Sequence, residues 1–154
     1  MKKTSIVVGS DGQDGTIISL KLKEKNHKVI RLNKKNFDLR SYSKIEKLII
    51  KYKPNNVFYF AAIHHSSDDK KINSYKTIID SNIINFLAPI YFLQIIYKYH
   101  SKCKFFFASS SLIFNNSREI KTEKSILKPK EIYSLTKAST MNLIDFYRNS
   151  LNLF

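Results

Sequence analysis

The sequence has no tryptophan, one cysteine, three prolines and three glycines in 154 residues. A lone cysteine, Cys103, excludes an internal disulfide framework and suits a reducing compartment, so a cytoplasmic location is expected. No His/Cys cluster has metal-ligand spacing, and no metal is expected. Long apolar runs are missing too. The longest, residues 83–97, falls short of a membrane span and is interrupted by Asn85 and Gln94. Met1-Lys2-Lys3 leads straight into a strand-like run, without a secretory signal pattern. Acidic residues are scarce, 12 against 27 lysines and arginines, for a formal charge of +15. Such a charge raises the prospect of a nucleic-acid partner. The basic residues are nearly all lysines, scattered over the whole length without forming a stripe. A solvated lysine surface accounts for them, and a dedicated nucleic-acid role is not expected. The excess still favours anionic, phosphate-bearing ligands. Length and a hydrophobic fraction of 43% describe one globular domain over residues 1–154.

All three glycines fall within Gly9-Ser10-Asp11-Gly12-Gln13-Asp14-Gly15, directly behind the apolar run Ser5-Ile6-Val7-Val8. Glycine concentrated at one point marks backbone geometry or close approach that a side chain would forbid. Strand, glycine loop and helix in succession form a place where a phosphate can meet backbone N–H groups at the positive end of a helix. An ordinary tight turn carries the same motif, so the remainder of the chain has to decide between the two.

Residues 4–8 read as a short buried strand, and 16–25 as a helix with Ile17, Ile18, Leu20 and Leu22 on its apolar side. Residues 27–32 give a second strand, and Phe37-Asp38-Leu39 a third, edge-like one. Ser43 and Glu46 form a capping-box pattern ahead of Ile45, Leu48, Ile49 and Tyr52, and Pro54 stops that helix. Residues 57–61 form the next strand, followed by a polar loop over 64–71. A long helical region over 74–99 contains Pro89, which is expected to kink it. The last strand, 104–108, runs into Ser109-Ser110-Ser111. An irregular stretch with Pro129 leads to a final helix beginning near Tyr133. Strands alternating with helices, the strands nearly continuous in apolar residues, predict a doubly wound parallel sheet of Rossmann type.

Tyr133-Ser134-Leu135-Thr136-Lys137 places a phenol and an ammonium four residues apart, on one face of a helix. A cation beside a phenol favours the phenolate, which can then accept a proton. Ser110, just past a central strand, could hydrogen-bond the reacting oxygen. Together with G-x-x-G-x-x-G, in this order, the set resembles the extended short-chain dehydrogenase/reductase family, the NAD(P)-dependent epimerases and dehydratases of nucleotide sugars. The resemblance covers essentially all of the chain. Gly12-Gln13-Asp14-Gly15 is similar to the glycine loop of GDP-mannose 4,6-dehydratases, which implies a lyase-type activity on a GDP-sugar. Asp38-Leu39 resembles the family's acidic position beside the adenine, and Phe60-Ala61-Ala62 its cofactor-lining segment. Asn85 matches the structural asparagine of the long helix, with Asn82 as competitor. Phe114 stands where the family has a tyrosine, and counting back four residues picks Ser110 as the catalytic hydroxyl beside Tyr133 and Lys137. The resemblance further implies that Lys137 holds the nicotinamide ribose, and that dimers form through helices over residues 83–97 and 133–147.

The cofactor contacts expected from loop and resemblance are Gly9, Asp11, Gly12, Gln13, Asp14, Gly15, Asp38, Leu39, Ala61, Ala62 and Lys137. The second strand ends in Arg31-Leu32-Asn33-Lys34-Lys35, without the carboxylate that takes the ribose 2′-hydroxyl of NAD. Arg31, with Lys34 or Lys35, suits a 2′-phosphate, so NADP is expected and NAD is the alternative. Leu112 occupies the position of the dehydratases' glutamate, which points to an epimerase or reductase without elimination. The family's sugar-binding part lies mostly beyond residue 154, so the substrate domain is expected to be largely absent. A cofactor-binding fragment without catalysis is the reading from another class. Smaller expectations are a surface role for His64 and His65, with contact to substrate or cofactor as the alternative, a core strand for Phe105-Phe106-Phe107, an inert buried or half-buried Cys103, and loop hydrogen bonds from Ser109 and Ser111.

Overall fold

The computed structural model describes residues 2–64, 74–114 and 120–153. Four parallel strands, β1 (Thr4–Val8), β2 (Lys28–Leu32), β3 (Asn56–Tyr59) and β4 (Lys104–Phe107), lie in the order β2-β1-β3-β4. The helices between them are α1 (Gln13–Glu24), α2 (Tyr42–Tyr52), α3 (Tyr75–Ser81) and α4 (Ala88–Tyr99), and α5 (Ile132–Leu151) follows β4. This is the expected Rossmann-type α/β architecture. Register sets Val8 beside both Leu32 and Tyr59, and Tyr59 beside Phe107. All four strands therefore end on one rim, and the chain reverses its winding direction between β1 and β3. Ligands of doubly wound sheets bind at that crevice.

The two faces of the sheet are filled unequally. Ile6, Val8, Val57, Tyr59 and Phe105 join Ile45 and Ile49 of α2, four core residues of α4 beginning at Phe92, and Ile144 of α5 in one cluster. On the opposite face α1 is the one helix among the described residues, and Ile17, Ile18, Phe58, Phe60, Phe106 and Ala108 border a shallow hollow. Phe106 is 50% exposed there, so the aromatic run is not wholly core. Alternation explains the split: successive strand residues face opposite sides, and Phe106 points away from its two neighbours.

Several local expectations shift. No strand forms at Phe37–Leu39. The Asn33 carboxamide oxygen accepts from the N–H groups of Lys35 and Asn36, and Asn36 returns the bond to the Asn33 N–H. Such side-chain turns outcompete strand pairing. The cap of α2 is Ser41, whose hydroxyl accepts from the Lys44 N–H, and not Ser43. α1 begins at Gln13, inside the glycine loop, with Gly12 as its N-cap.

Residues 75–99 form one continuous helical stretch, long and apolar enough to cross a membrane by length and composition. Its inner residues Ala88, Phe92, Leu93, Ile95 and Ile96 are nevertheless buried in the core. Pro89 does not break it. A wide π-type turn over Asn82–Leu87 precedes the proline, and the Asn85 carbonyl, four residues before it, accepts from the Thr140 hydroxyl at 2.7 Å. The missing proline N–H is thereby offset by a side chain of α5. That bond also ties the long helix to the helix carrying Tyr133 and Lys137.

Candidate functional site

The glycine loop is shaped by close backbone approach. Gly9 has φ +80°, and a Cβ there would lie 2.6 Å from the Ala61 nitrogen. A Cβ on Gly15 would lie 2.2 Å from the Gly9 carbonyl oxygen, where the first turn of α1 crosses the end of β1. Gly12 differs from both: its added Cβ would meet nothing nearer than the Gly9 oxygen at 3.4 Å. Two glycines thus let the loop fold, and the third leaves room in front of a helix N-terminus. The first-turn N–H groups of a helix have no intrahelical acceptors. A phosphate fits that cradle.

In front of the loop lies an open cleft of about 650 Å³. That is within the range of about 300–1,000 Å³ for organic ligands. Of the residues singled out from the sequence, Gly9, Asp11, Gly12, Asp38, Leu39, Ala61 and Ala62 line it. Gln13, Gly15 and Lys137 lie outside this lining, and Asp14 borders the hollow on the α1 side instead. Arg31 is outside the lining as well: its guanidinium donates to the Ser10 carbonyl at 2.8 Å and pairs with the Asp11 carboxylate at 3.2 Å. Asn33, Phe37 and Arg40 line the cleft without having been singled out as contacts. Their position directly behind the second strand was the available signal. Arg40 is fixed by an ion pair of 2.7 Å to Asp80.

Asn85 connects the cleft to the final helix. Its side chain accepts from the Ile63 N–H at 2.8 Å, and donates to the Ile63 carbonyl at 3.0 Å and the Thr136 hydroxyl at 3.2 Å. Asn82 merely bonds back to the Ile78 carbonyl of its own helix. His64, the next residue, sets its ring edge-on against Tyr133, with centroids 4.6 Å apart. A surface role alone does not describe His64; His65 lies outside the described residues.

At the end of β4, Lys137 is buried, 1% exposed. Its ammonium donates to the Ala108 carbonyl at 2.8 Å and sits over the rings of Phe107 and Tyr133, 4.4 and 5.8 Å from their centroids. No carboxylate pairs with it among the described residues. Desolvation brings its pKa down from 10.5 to about 8. The cation stands one helical turn from Tyr133, and burying it opposes stability. Ser110 caps a short turn, Ser111–Ile113, by accepting from the Leu112 N–H at 3.2 Å. Leu112 is 42% exposed. Ser109 donates to the Met141 sulfur. Cys103 is fully buried, and burial pushes its thiol up to about 12, which keeps it protonated and unreactive at neutral pH.

Known proteins share this fold. A Bacillus anthracis dTDP-4-dehydrorhamnose reductase, solved in complex with NADP, superposes with a TM-score of 0.79 at 19% identity, over 94% of this chain and 50% of its own. A Thermus thermophilus UDP-glucose 4-epimerase in complex with NAD gives 0.80 at 21%, over 97% and 52%. An L-threonine 3-dehydrogenase from Trypanosoma brucei gives 0.82 at 22%, over 99% and 51%. The chain thus spans about half the length of each. No protein of curated function matches it in sequence. The model of the NAD dependent epimerase/dehydratase family matches residues 5–154, and the chain belongs to that family.

Proposed function

We propose that the chain binds a nicotinamide dinucleotide in the cleft and acts on a hydroxyl of a nucleotide sugar, as an epimerase or reductase. The observation that carries this is Lys137, buried beside Tyr133 at the end of β4 with no carboxylate partner among the described residues. The residues suit the cofactor: a cradle in front of Gly12, an apolar wall of Phe37 and Leu39, and the Ala61–Ala62 backbone behind it. A bound nicotinamide supplies the hydride acceptor or donor. Tyr133 takes the proton that leaves the substrate hydroxyl, Ser110 hydrogen-bonds the same oxygen, and Lys137 keeps positive charge beside the phenolate and meets the nicotinamide ribose. Asn85 fixes the helix on which both groups stand. In this reading residues 1–154 are the dinucleotide-binding domain of a cytoplasmic enzyme.

The likeness of Gly12-Gln13-Asp14-Gly15 to GDP-mannose dehydratases favours a GDP-sugar. An exposed leucine at position 112 offers no acid for elimination. Incubation with GDP-mannose and dinucleotide is therefore expected to yield no 4-keto-6-deoxy sugar by mass spectrometry. A panel of GDP-, UDP- and dTDP-sugars, with L-threonine as comparison, is expected to give a change in reduced-nicotinamide absorbance or an epimerised product from a sugar nucleotide. Formation of the 4-keto-6-deoxy sugar sinks the Leu112 argument, and turnover of L-threonine alone sinks the sugar assignment.

On cofactor choice, the exposed Lys34 and Lys35 in the cleft wall support NADP through charge; the Asp11 carboxylate opposes it. Pairing of two copies through the outer helices also belongs to this proposal. Tyr97 and Phe146 are 47% and 50% exposed on α4 and α5. Light scattering is expected to give twice the chain mass of 18.0 kDa; a monomer mass at micromolar concentration rejects the dimer.

A further inference from the structure

We infer that Asp11 supplies from the glycine loop the carboxylate that the second strand lacks, and that it thereby selects NAD over NADP. The inference rests on the cofactor reading above and goes one step further, to the chemistry at the adenine-side ribose. β2 ends in Leu32-Asn33-Lys34-Lys35, with no acid where a dinucleotide site receives the ribose 2′-hydroxyl. The carboxylate of Asp11 reaches that place from the neighbouring strand's loop. One of its oxygens accepts from the Asn33 carboxamide at 2.8 Å, and the other from the Arg31 guanidinium at 3.2 Å and the Ser10 hydroxyl at 3.3 Å. Three donors from two elements hold it in one position.

Which charge faces the ligand decides the choice. Asp11 and Asn33 line the cleft, whereas Arg31 does not. One guanidinium nitrogen, Nη2, is turned to the carboxylate and the Ser10 carbonyl, so part of the arginine's charge is already engaged before any ligand arrives, although its side chain stays 41% exposed. A ribose 2′-hydroxyl can donate to the remaining lone pairs of Asp11. A 2′-phosphate has no proton to share at neutral pH and would bring a dianion against a fixed carboxylate. Lys34 and Lys35 are exposed and hydrated, and their attraction is screened by salt and shared by the pyrophosphate of both dinucleotides. Strand-end sequence therefore favours NADP, but the side-chain arrangement favours NAD.

The test is calorimetric titration of the chain with NAD and with NADP, for the wild type, Asp11→Asn, and Asp11→Asn combined with Arg31→Ala. Thermal unfolding of each confirms that it is folded. The wild type is expected to bind NAD at least about tenfold more tightly than NADP, the difference made by one charged hydrogen bond. Asp11→Asn should lower NAD affinity and raise NADP affinity as Arg31 is released, bringing the ratio to about one or reversing it. The added Arg31→Ala should remove the NADP gain. Equal or tighter NADP binding by the wild type, or an unchanged ratio in folded Asp11→Asn, overturns the inference and leaves the cofactor site standing. Failure of both dinucleotides to bind the folded wild type overturns the inference and the cofactor reading together. Serine in place of asparagine at position 11 gives the same reading should Asp11→Asn not fold.

Discussion

Lys137→Met is expected to stabilise the chain at pH 7 by up to about 1.5 kcal/mol and to lower turnover about 10²–10⁴-fold. The lysine is buried, its pKa is brought from 10.5 to about 8, and among the described residues its hydrogen bond is to the Ala108 carbonyl. A shift of that size corresponds to roughly 3 kcal/mol against the charged form. Loss of a hydrogen bond from a charged donor returns about 1.5–3 kcal/mol of this, and methionine fills the space with apolar surface. The pH dependence has a definite sign. A lysine with a depressed folded pKa penalises the fold fully below about pH 8, where both states are protonated. The penalty is relieved as pH rises toward 10.5, because the unfolded chain then binds more protons than the folded one. The advantage of Lys137→Met should therefore shrink between pH 8 and 10.5. Cys103 acts in the opposite direction above pH 9.0, and Tyr59, raised by complete burial, does so above pH 10.0. Both are common to the two proteins, so the difference between their denaturant midpoints isolates Lys137. An advantage that does not change with pH contradicts the burial argument.

Alanine scanning of the three glycines is expected to separate folding from binding. Gly15→Ala places a methyl 2.2 Å from a backbone carbonyl oxygen and within 2.9 Å of two further backbone atoms. None of these is the end of a flexible side chain, so the loop or the helix must move. Overpacking of that kind costs about 1–3 kcal/mol or more, against a gain of about 1 kcal/mol from alanine in a helix. Gly9→Ala adds to a comparable clash about 1–2 kcal/mol for a left-handed backbone. For a fold worth about 5–15 kcal/mol these are severe. Gly12→Ala meets nothing nearer than 3.4 Å and keeps an extended backbone at φ −72°, ψ 168°. It is expected to change stability by less than about 1 kcal/mol and to weaken dinucleotide binding at least about tenfold. Urea midpoints and titrations on the three variants check the contrast. Unimpaired binding by Gly12→Ala would show that the ligand lies elsewhere.

The parts legible in the sequence are those set by local, one-dimensional signals. The glycine loop behind an apolar strand, the periodicity of α2, and the four-residue spacing of Tyr133 and Lys137 all survive folding because each depends on residues close in the chain. The third strand at 37–39 failed because Asn33 and Asn36 turn the backbone with their own side chains, and apolar alternation does not register that competition. Phe106 was misread because three successive phenylalanines cannot all face one side of a strand, and composition does not say which face is covered. Least legible was the contact of Asp11 with Arg31 and Asn33, about twenty residues apart and joined only by the register of β1 and β2. Lys34 and Lys35 stand beside the strand end and Asp11 does not, so proximity in the sequence points to the lysines, whereas the folded chain also brings the Asp11 carboxylate to Asn33.

The central claim is that a nicotinamide dinucleotide occupies the cleft at the ends of β1, β2 and β3. It is tested most directly by titrating the chain with NADH and following the emission of the reduced nicotinamide. The chain has no tryptophan to confuse that signal. The account predicts saturation at one site per chain, with a Kd between about 1 µM and 1 mM, and binding at least about tenfold weaker in Gly12→Ala. A flat titration on protein that unfolds cooperatively would contradict it.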